Sequence, residues 1–275
     1  MVKKALLLFA LCLWNFPASA SKLEAVKDQL VPHKALYDIN LISTRSGSQI
    51  ANISGQMLYE WKPTCEAWVT DHRFNLFYEY ADSPGMRITS DFSTYETFDG
   101  EEFSYSARRR RNGDLYEELR GKADIKKAKA SFSKPSDLSF ELPDGSVFPM
   151  THTINMINKA QLEKPIYNNV VFDGSDKDGP VEINAVIGKL VNPMSIVKAN
   201  ESLDMSLVNS KAWKARMAVF PVGDDGALSD YEMSLVFHEN GLISDMTIDY
   251  DDFSVSQRLV ALEKLDENFC VAAAE

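Results

Sequence analysis

The sequence predicts a mostly β protein: one domain built on a long antiparallel meander that a single amphipathic helix interrupts. Three observations carry this. Runs that alternate apolar with polar residues recur at the roughly 8 to 12 residue spacing of antiparallel β proteins, with Gly, Pro and Asn at the turns. One segment, "FPMTHTINMINKAQLEK", breaks that rhythm with apolar residues at helical spacing. No Pro/Gly/Ser-rich linker and no internal repeat divides the chain, so its halves read as one unit over residues 21–275.

The first residues set the compartment. "MVKKALLLFALCLWNFPASA" joins Lys3 and Lys4 to an apolar run from Ala5 to Trp14 and a small-residue site, Ala18-Ser19-Ala20. That is the pattern of a cleaved secretory signal over residues 1–20, with the mature chain starting near Ser21 outside the cytoplasm. Cys12 follows Leu11, where a lipidation site would want a small residue, so it is expected to leave with the signal. No later segment approaches the roughly 20 apolar residues of a membrane-spanning helix. The full chain carries 29 Lys and Arg against 40 Asp and Glu, and loss of the signal leaves 27 against 40. Such acidity argues against nucleic acid or anionic headgroups held by bulk electrostatics, and leaves a local basic patch open.

The elements follow in order. A polar lead-in, "SKLEAVKDQL", has a helical look. In "PHKALYDINLISTRSGSQIANISGQMLYEW", Tyr37, Ile39 and Leu41 alternate with polar residues, "RSGS" turns, and Ile53, Met57 and Tyr59 mark the returning strand. The meander continues with turns at Ser83-Pro84-Gly85, Asp99-Gly100 and Asn112-Gly113. In the helical segment Met150, Ile154 and Ile157 fall at i, i+4 and i+7, Thr151 or Thr153 can cap the start, and Pro165 follows the end. Strands resume from "IYNNVVFDGSD" to "SVSQRLVALEKL", with Gly241 in a hairpin turn after His238. Between them "VNPMSIVKANESLDMSLVNSKAW" lacks clean periodicity and reads as a long, partly helical connection. A sheet that curls would bury one face inside the curl, and the lone helix is its natural plug.

Two cysteines survive removal of the signal, Cys65 and Cys270. An oxidising compartment makes one disulfide the expectation; two buried free thiols are the alternative, because a sequence does not give the distance between sulfurs. The bond would enclose about 200 residues and contribute up to roughly 5 kcal/mol.

Little in the chain points to chemistry. His33, His72, His152 and His238 form no paired metal-ligand spacing, and no G-x-S-x-G elbow is present, so each histidine is expected to be a satisfied structural one and neither metal nor cofactor is expected. "DGSDKDG", Asp173 to Gly179, has Gly174 where the first carboxylate of a calcium loop belongs, and it reads as a polar turn. "DYDDF", Asp249 to Phe253, reads as a tight turn between strands. Paired carboxylates for an envelope-active hydrolase, with Asp173 and Asp249 as candidates, are the competing functional class. The run Arg108, Arg109, Arg110, Arg111 is the strongest local charge anomaly. On a strand it projects to both faces, and it is read as a solvated strand end matched by Glu117 and Glu118, with contact to an anion or acidic partner as the alternative.

Assembled, the segments resemble the alphaproteobacterial cell-envelope-integrity family known as EipB, formerly catalogued as a domain of unknown function. The match runs through "VPHKALYDINLISTRSGSQI", "GQMLYEWKPTCEAW", "FPMTHTINMI", "VVFDGSD", "AVIGK", "MAVFP", "DYEMSLVFHENGLISDMTIDYDDFSVSQRLVALEKL" and the terminal "FC", over residues 31 to 270. The resemblance implies a periplasmic, non-enzymatic protein. Its strands would wind as a β-spiral or open barrel around the helix, similar to lipoprotein-carrier folds. It implies a disulfide between Cys65 and Cys270, a role in envelope integrity under stress, and a protein partner such as a periplasmic tetratricopeptide-repeat protein; a lipid or lipoprotein ligand is a further expectation. A carrier would need a cavity that the helix can vacate, which makes Met150, Ile154, Met156 and Ile157 the candidate ligand-binding residues; plain core filling is the alternative.

Overall fold

The computed structural model describes residues 18–223 and 228–266, with side chains described from residue 23. Helix α1 (Ala18–Lys27) precedes eight strands: β1 (His33–Thr44), β2 (Ile50–Pro63), β3 (Ala67–Tyr80), β4 (Met86–Thr97), β5 (Glu102–Arg111), β6 (Asp114–Asp124), β7 (Lys129–Lys134) and β8 (Ser139–Glu141). Helix α2 (Pro149–Gln161) follows, then β9 (Ile166–Val171), β10 (Val181–Val191), the short α3 (Met205–Val208), β11 (Ala212–Pro221), β12 (Tyr231–His238), β13 (Ile243–Asp249) and β14 (Phe253–Lys264). The predicted signal lies outside the described residues up to residue 17, and Cys270 lies outside them too.

All fourteen strands belong to one antiparallel sheet, in the order 8-7-6-5-4-3-2-1-14-13-12-11-10-9. Two meanders are thus joined where β1 meets β14, with His33 opposite Lys264 and Thr44 opposite Phe253. The sheet is not closed into a barrel. Its two edges, β8 and β9, are neighbours in sequence, and the chain brings them together. Val147 forms a parallel bridge to Val171, and Phe172 packs against Phe103, Tyr105 and Phe132 on β5 and β7. Gly174, at φ +65°, lies against the Tyr105 ring, so close that a Cβ there would sit 2.4 Å from it.

Turn chemistry matches strand twist. Asn112 and Gly113 both have positive φ, 51° and 97°, the conformation a two-residue hairpin needs. The aperiodic stretch before β11 holds a 3₁₀ turn at Pro193–Ser195 and α3, and it buries Leu203, Leu207 and Val208 against residues of β1 and β14.

Helix α2 is more enclosed than a one-sided amphipathic helix. Met150, His152, Ile154, Met156, Ile157 and Ala160 are buried, and no residue from Met150 to Ala160 is fully exposed. Its buried apolar residues share one core cluster with side chains of α1, β2, β3, β9, β10, β11 and β12. Its start also differs from expectation: the N-cap is Phe148, whose side chain caps nothing, Pro149 fills the first turn, and neither Thr151 nor Thr153 acts as cap. The orphan N–H groups are met instead from β4, by Glu96.

Candidate functional site

The inward face of the sheet divides into two ends. Register fixes which side chains point in: Trp68 of β3 lies opposite Glu96 of β4, Thr70 opposite Thr94, and His72 opposite Phe92. At the α2 end this face is buried and apolar. Met150, Ile154, Met156 and Ile157 sit in one core cluster with Trp61, Trp68, Trp213 and Phe237. The structure therefore brings the four candidate ligand residues together, as filling of the curl.

Glu96 sits beneath that cluster. It is 1% exposed, and its carboxylate accepts from the Met150 and Thr151 N–H groups at 2.7 Å each and from Thr151 Oγ1 at 2.6 Å. Burial pushes its pKa up to about 7, while the three donors pull the other way. The helix N-terminus carries the positive end of its dipole, which suits a carboxylate at this point. Sequence reasoning missed Glu96, although a signal existed: in "DFSTYETF" it falls in phase with Phe92 and Thr94 on the inward side.

All four histidines are held neutral, each with its pKa lowered to about 4 chiefly by burial. His238 is satisfied, with Ser210 Oγ 3.1 Å from Nδ1 and Ser244 Oγ 2.8 Å from Nε2. His33 and His152 depart from the expected satisfied state. His33 Nδ1 lies 2.9 Å from the Trp61 indole nitrogen, yet its Nε2 has no partner; His152 Nδ1 has none either, and its ring packs against Tyr167. Both were drawn into an enclosure that supplies few polar groups.

The opposite end of the curl is aromatic. Tyr78, Tyr231 and Tyr250 are half-buried there. Tyr231 and Tyr250 lie 5.7 Å apart, Tyr250 and Phe253 4.8 Å. Burial pushes Tyr78 up to about 12.

The arginine run ends β5 near this aromatic end, and each guanidinium has a partner within the chain. Arg108 pairs with Glu118 at 3.2 Å, Arg109 with Glu117 and the Ser175 carbonyl, Arg110 with Asp91 at 3.7 Å, and Arg111 lies over the Tyr116 ring at 4.9 Å. Lys177 reaches Glu117 at 3.1 Å. The cross-hairpin matching expected from sequence is thus present, extended by the loop after β9. Asp173 accepts from Ser175 N at 2.8 Å and Asp249 from Ser254 Oγ at 2.6 Å, so both hydrolase candidates take part in turns. Among the described residues no three His, Cys, Asp or Glu side chains converge as a metal group, and no helix is long and apolar enough to cross a membrane.

Comparison with known proteins places this architecture. A family described as EipB-like matches residues 24–266. The cell envelope integrity protein EipB of Brucella abortus (strain 2308) is 31% identical over 261 residues, covering 92% of this chain and 90% of that protein. The crystal structure of a β-barrel-like protein of a domain of unknown function from Brucella abortus superposes with a TM-score of 0.78 at 30% identity, covering 86% of this chain and 99% of that one. An end-to-end match of sequence and fold leaves one conclusion: the chain belongs to the EipB-like family.

Proposed function

We propose that this protein is a non-enzymatic binding or scaffolding module of the cell envelope, exported to the periplasm through its first 20 residues and needed for envelope integrity. The observation that carries this reading is the match, along 92% of the chain, to a relative named for cell envelope integrity. The interior supports the non-enzymatic part: its histidines are neutral and enclosed, and the one buried carboxylate among the described residues, Glu96, is engaged with a helix. The aromatic end of the curl, or the outer rim, would hold a protein partner, for which a tetratricopeptide-repeat protein is the class the resemblance implies.

A disulfide between Cys65 and Cys270 belongs to the same proposal. Trp61, His33 and Lys264 lie in one row across β2, β1 and β14. Cys65 follows Trp61 by four residues and Cys270 follows Lys264 by six. Trp61 and Lys264 lie at the same end of the sheet two strand spacings apart, about 10 Å. Chains of that length span it easily.

Complementation tests the function. In cells lacking the protein and sensitised to detergent, the wild-type chain and its Asp173→Ala and Asp249→Ala variants are expected to restore resistance equally. Loss of rescue by either variant, at normal protein level and thermal stability, would turn the reading toward a hydrolase.

A further inference from the structure

A groove of about 1050 Å³ opens at the α2 end, where Ala160, Ile187 and Trp213 of the interior cluster line it. Its apolar wall is Ala160, Pro165, Ile187, Leu190 and Trp213. That size suits a small ligand with one apolar arm.

A β-bulge makes the groove. Ile187 pairs with Ala215, but the next pair is Leu190 with Trp213, so Gly188 and Lys189 share one residue, Lys214, on the partner strand. The extra residue reverses the alternation and brings Leu190 to the face of Trp213. Leu190 remains 59% exposed there, a large apolar side chain standing at the lip of the groove.

The lip is basic in an otherwise acidic chain of formal charge −11. Lys164, Lys189 and Lys211 line it. Lys211 is held by Glu239 at 3.5 Å, whereas Lys164 and Lys189 have no carboxylate partner among the described residues; Glu163 is the other acid on the rim. Gln161 donates to Gln29 at 2.5 Å, and the Ile187 N–H donates to the Pro165 carbonyl at 2.7 Å, so two of the rim's polar groups are already engaged. An apolar wall beside two ammonium groups that have no carboxylate partner among the described residues describes a receptor for an anionic amphiphile.

We infer that this groove binds an anionic phospholipid, one acyl chain against Trp213 and Leu190 and the phosphate at Lys164 and Lys189. The inference deepens the proposed envelope function and rests on it for the supply of lipid.

Titration calorimetry of the purified whole protein tests it, with dihexanoyl phosphatidylglycerol kept monomeric as the probe. Saturable 1:1 binding is expected, at least fivefold tighter than to dihexanoyl phosphatidylcholine, with no binding of glycerol 3-phosphate. Leu190→Glu should weaken binding at least tenfold. The double variant Lys164→Glu/Lys189→Glu should do the same for phosphatidylglycerol and leave phosphatidylcholine unchanged, at roughly fivefold per lysine. Thermal midpoints control for folding, and Leu190→Ser replaces Leu190→Glu if the latter unfolds. The inference is overturned by no phosphatidylglycerol binding, by equal binding of the two lipids, or by variants that bind as wild type. It is equally overturned by a concentration-dependent dimer that Leu190→Glu abolishes without any lipid binding, which would make the groove a self-association surface. Loss of lipid binding with intact complementation would leave the envelope function standing, and failed complementation with intact lipid binding would do the reverse.

Discussion

Glu96 and Thr151, 55 residues apart in the chain, are joined by two hydrogen bonds: the threonine gives its backbone N–H at 2.7 Å and its hydroxyl at 2.6 Å to one carboxylate oxygen. The other oxygen takes the Met150 N–H at 2.7 Å. A strand residue thereby caps a helix across the protein interior and fixes α2 to the sheet. Glu96→Ala strands these donors in a buried place and is expected to cost on the order of 2–4 kcal/mol, measured by urea unfolding.

The same residue sets a pH dependence. Its folded pKa of about 7 lies above the ordinary 4.5, so between these values the folded state holds a proton that the unfolded chain has lost. Stability from this group is present below about pH 4.5 and falls as pH rises toward 7, by on the order of 2–3 kcal/mol. Urea unfolding of Glu96→Gln should lose this component of the slope. A Glu96→Gln profile parallel to wild type from pH 4.5 to 7.5 would refute it.

The histidines act in the opposite direction. Each has a folded pKa near 4 against an ordinary 6.5, so the unfolded state binds protons first as pH falls. Their contribution is complete above pH 6.5 and is lost as pH drops toward 4, on the order of 2–3 kcal/mol for each well-buried ring. His152→Asn should shrink the acid-induced loss by about 1–3 kcal/mol, whatever its effect at neutral pH. An unchanged loss between pH 7 and 4.5 would show that His152 is not kept neutral.

The meeting of the sheet edges is tested at glycine. Gly174 and Gly47 both have positive φ, 65° and 95°, but a Cβ at Gly174 would enter the Tyr105 ring, whereas one at Gly47 meets nothing within 4 Å. Alanine at Gly47 should cost about 1 kcal/mol from backbone strain alone, and alanine at Gly174 roughly 1–3 kcal/mol more. Equal thermal shifts would mean that the loop after β9 does not bear on β5.

The proposed disulfide makes the simplest test. Protein purified from the periplasm and unfolded without reductant should show no reactive thiol. Reduction should lower stability by up to about 5 kcal/mol, with strain and residual denatured structure reducing the effect. Two thiols titrating before reduction would remove the bond from the proposal.

Much of the β architecture was legible locally because a strand's alternation and its turn chemistry are written in adjacent residues. Tyr37, Ile39 and Leu41 point inward as their spacing says, and Asn112-Gly113 makes the hairpin its dihedral demands. The helix was legible for the same reason, through Met150, Ile154 and Ile157. That Glu117 and Glu118 face the arginine run was legible too, but the pairs were not: counting back from the turn sets Arg108 against Glu117, and a bulge at Tyr116 shifts the register so that Arg109 meets Glu117 and Arg108 meets Glu118.

What local pattern does not encode is which distant element meets which. The sequence determined where strands, turns and the single long internal helix form, and that the chain is acidic. Only the tertiary structure decided that α2 is enclosed almost all round, that its N-terminus is met by Glu96 instead of Thr151, and that two histidine nitrogens go unpartnered. It alone gathered Lys164 and Lys189 beside Trp213. The physical reason is common to all: each depends on the curvature of a fourteen-stranded sheet, which sums small twists over many strands and brings residues more than fifty positions apart into contact.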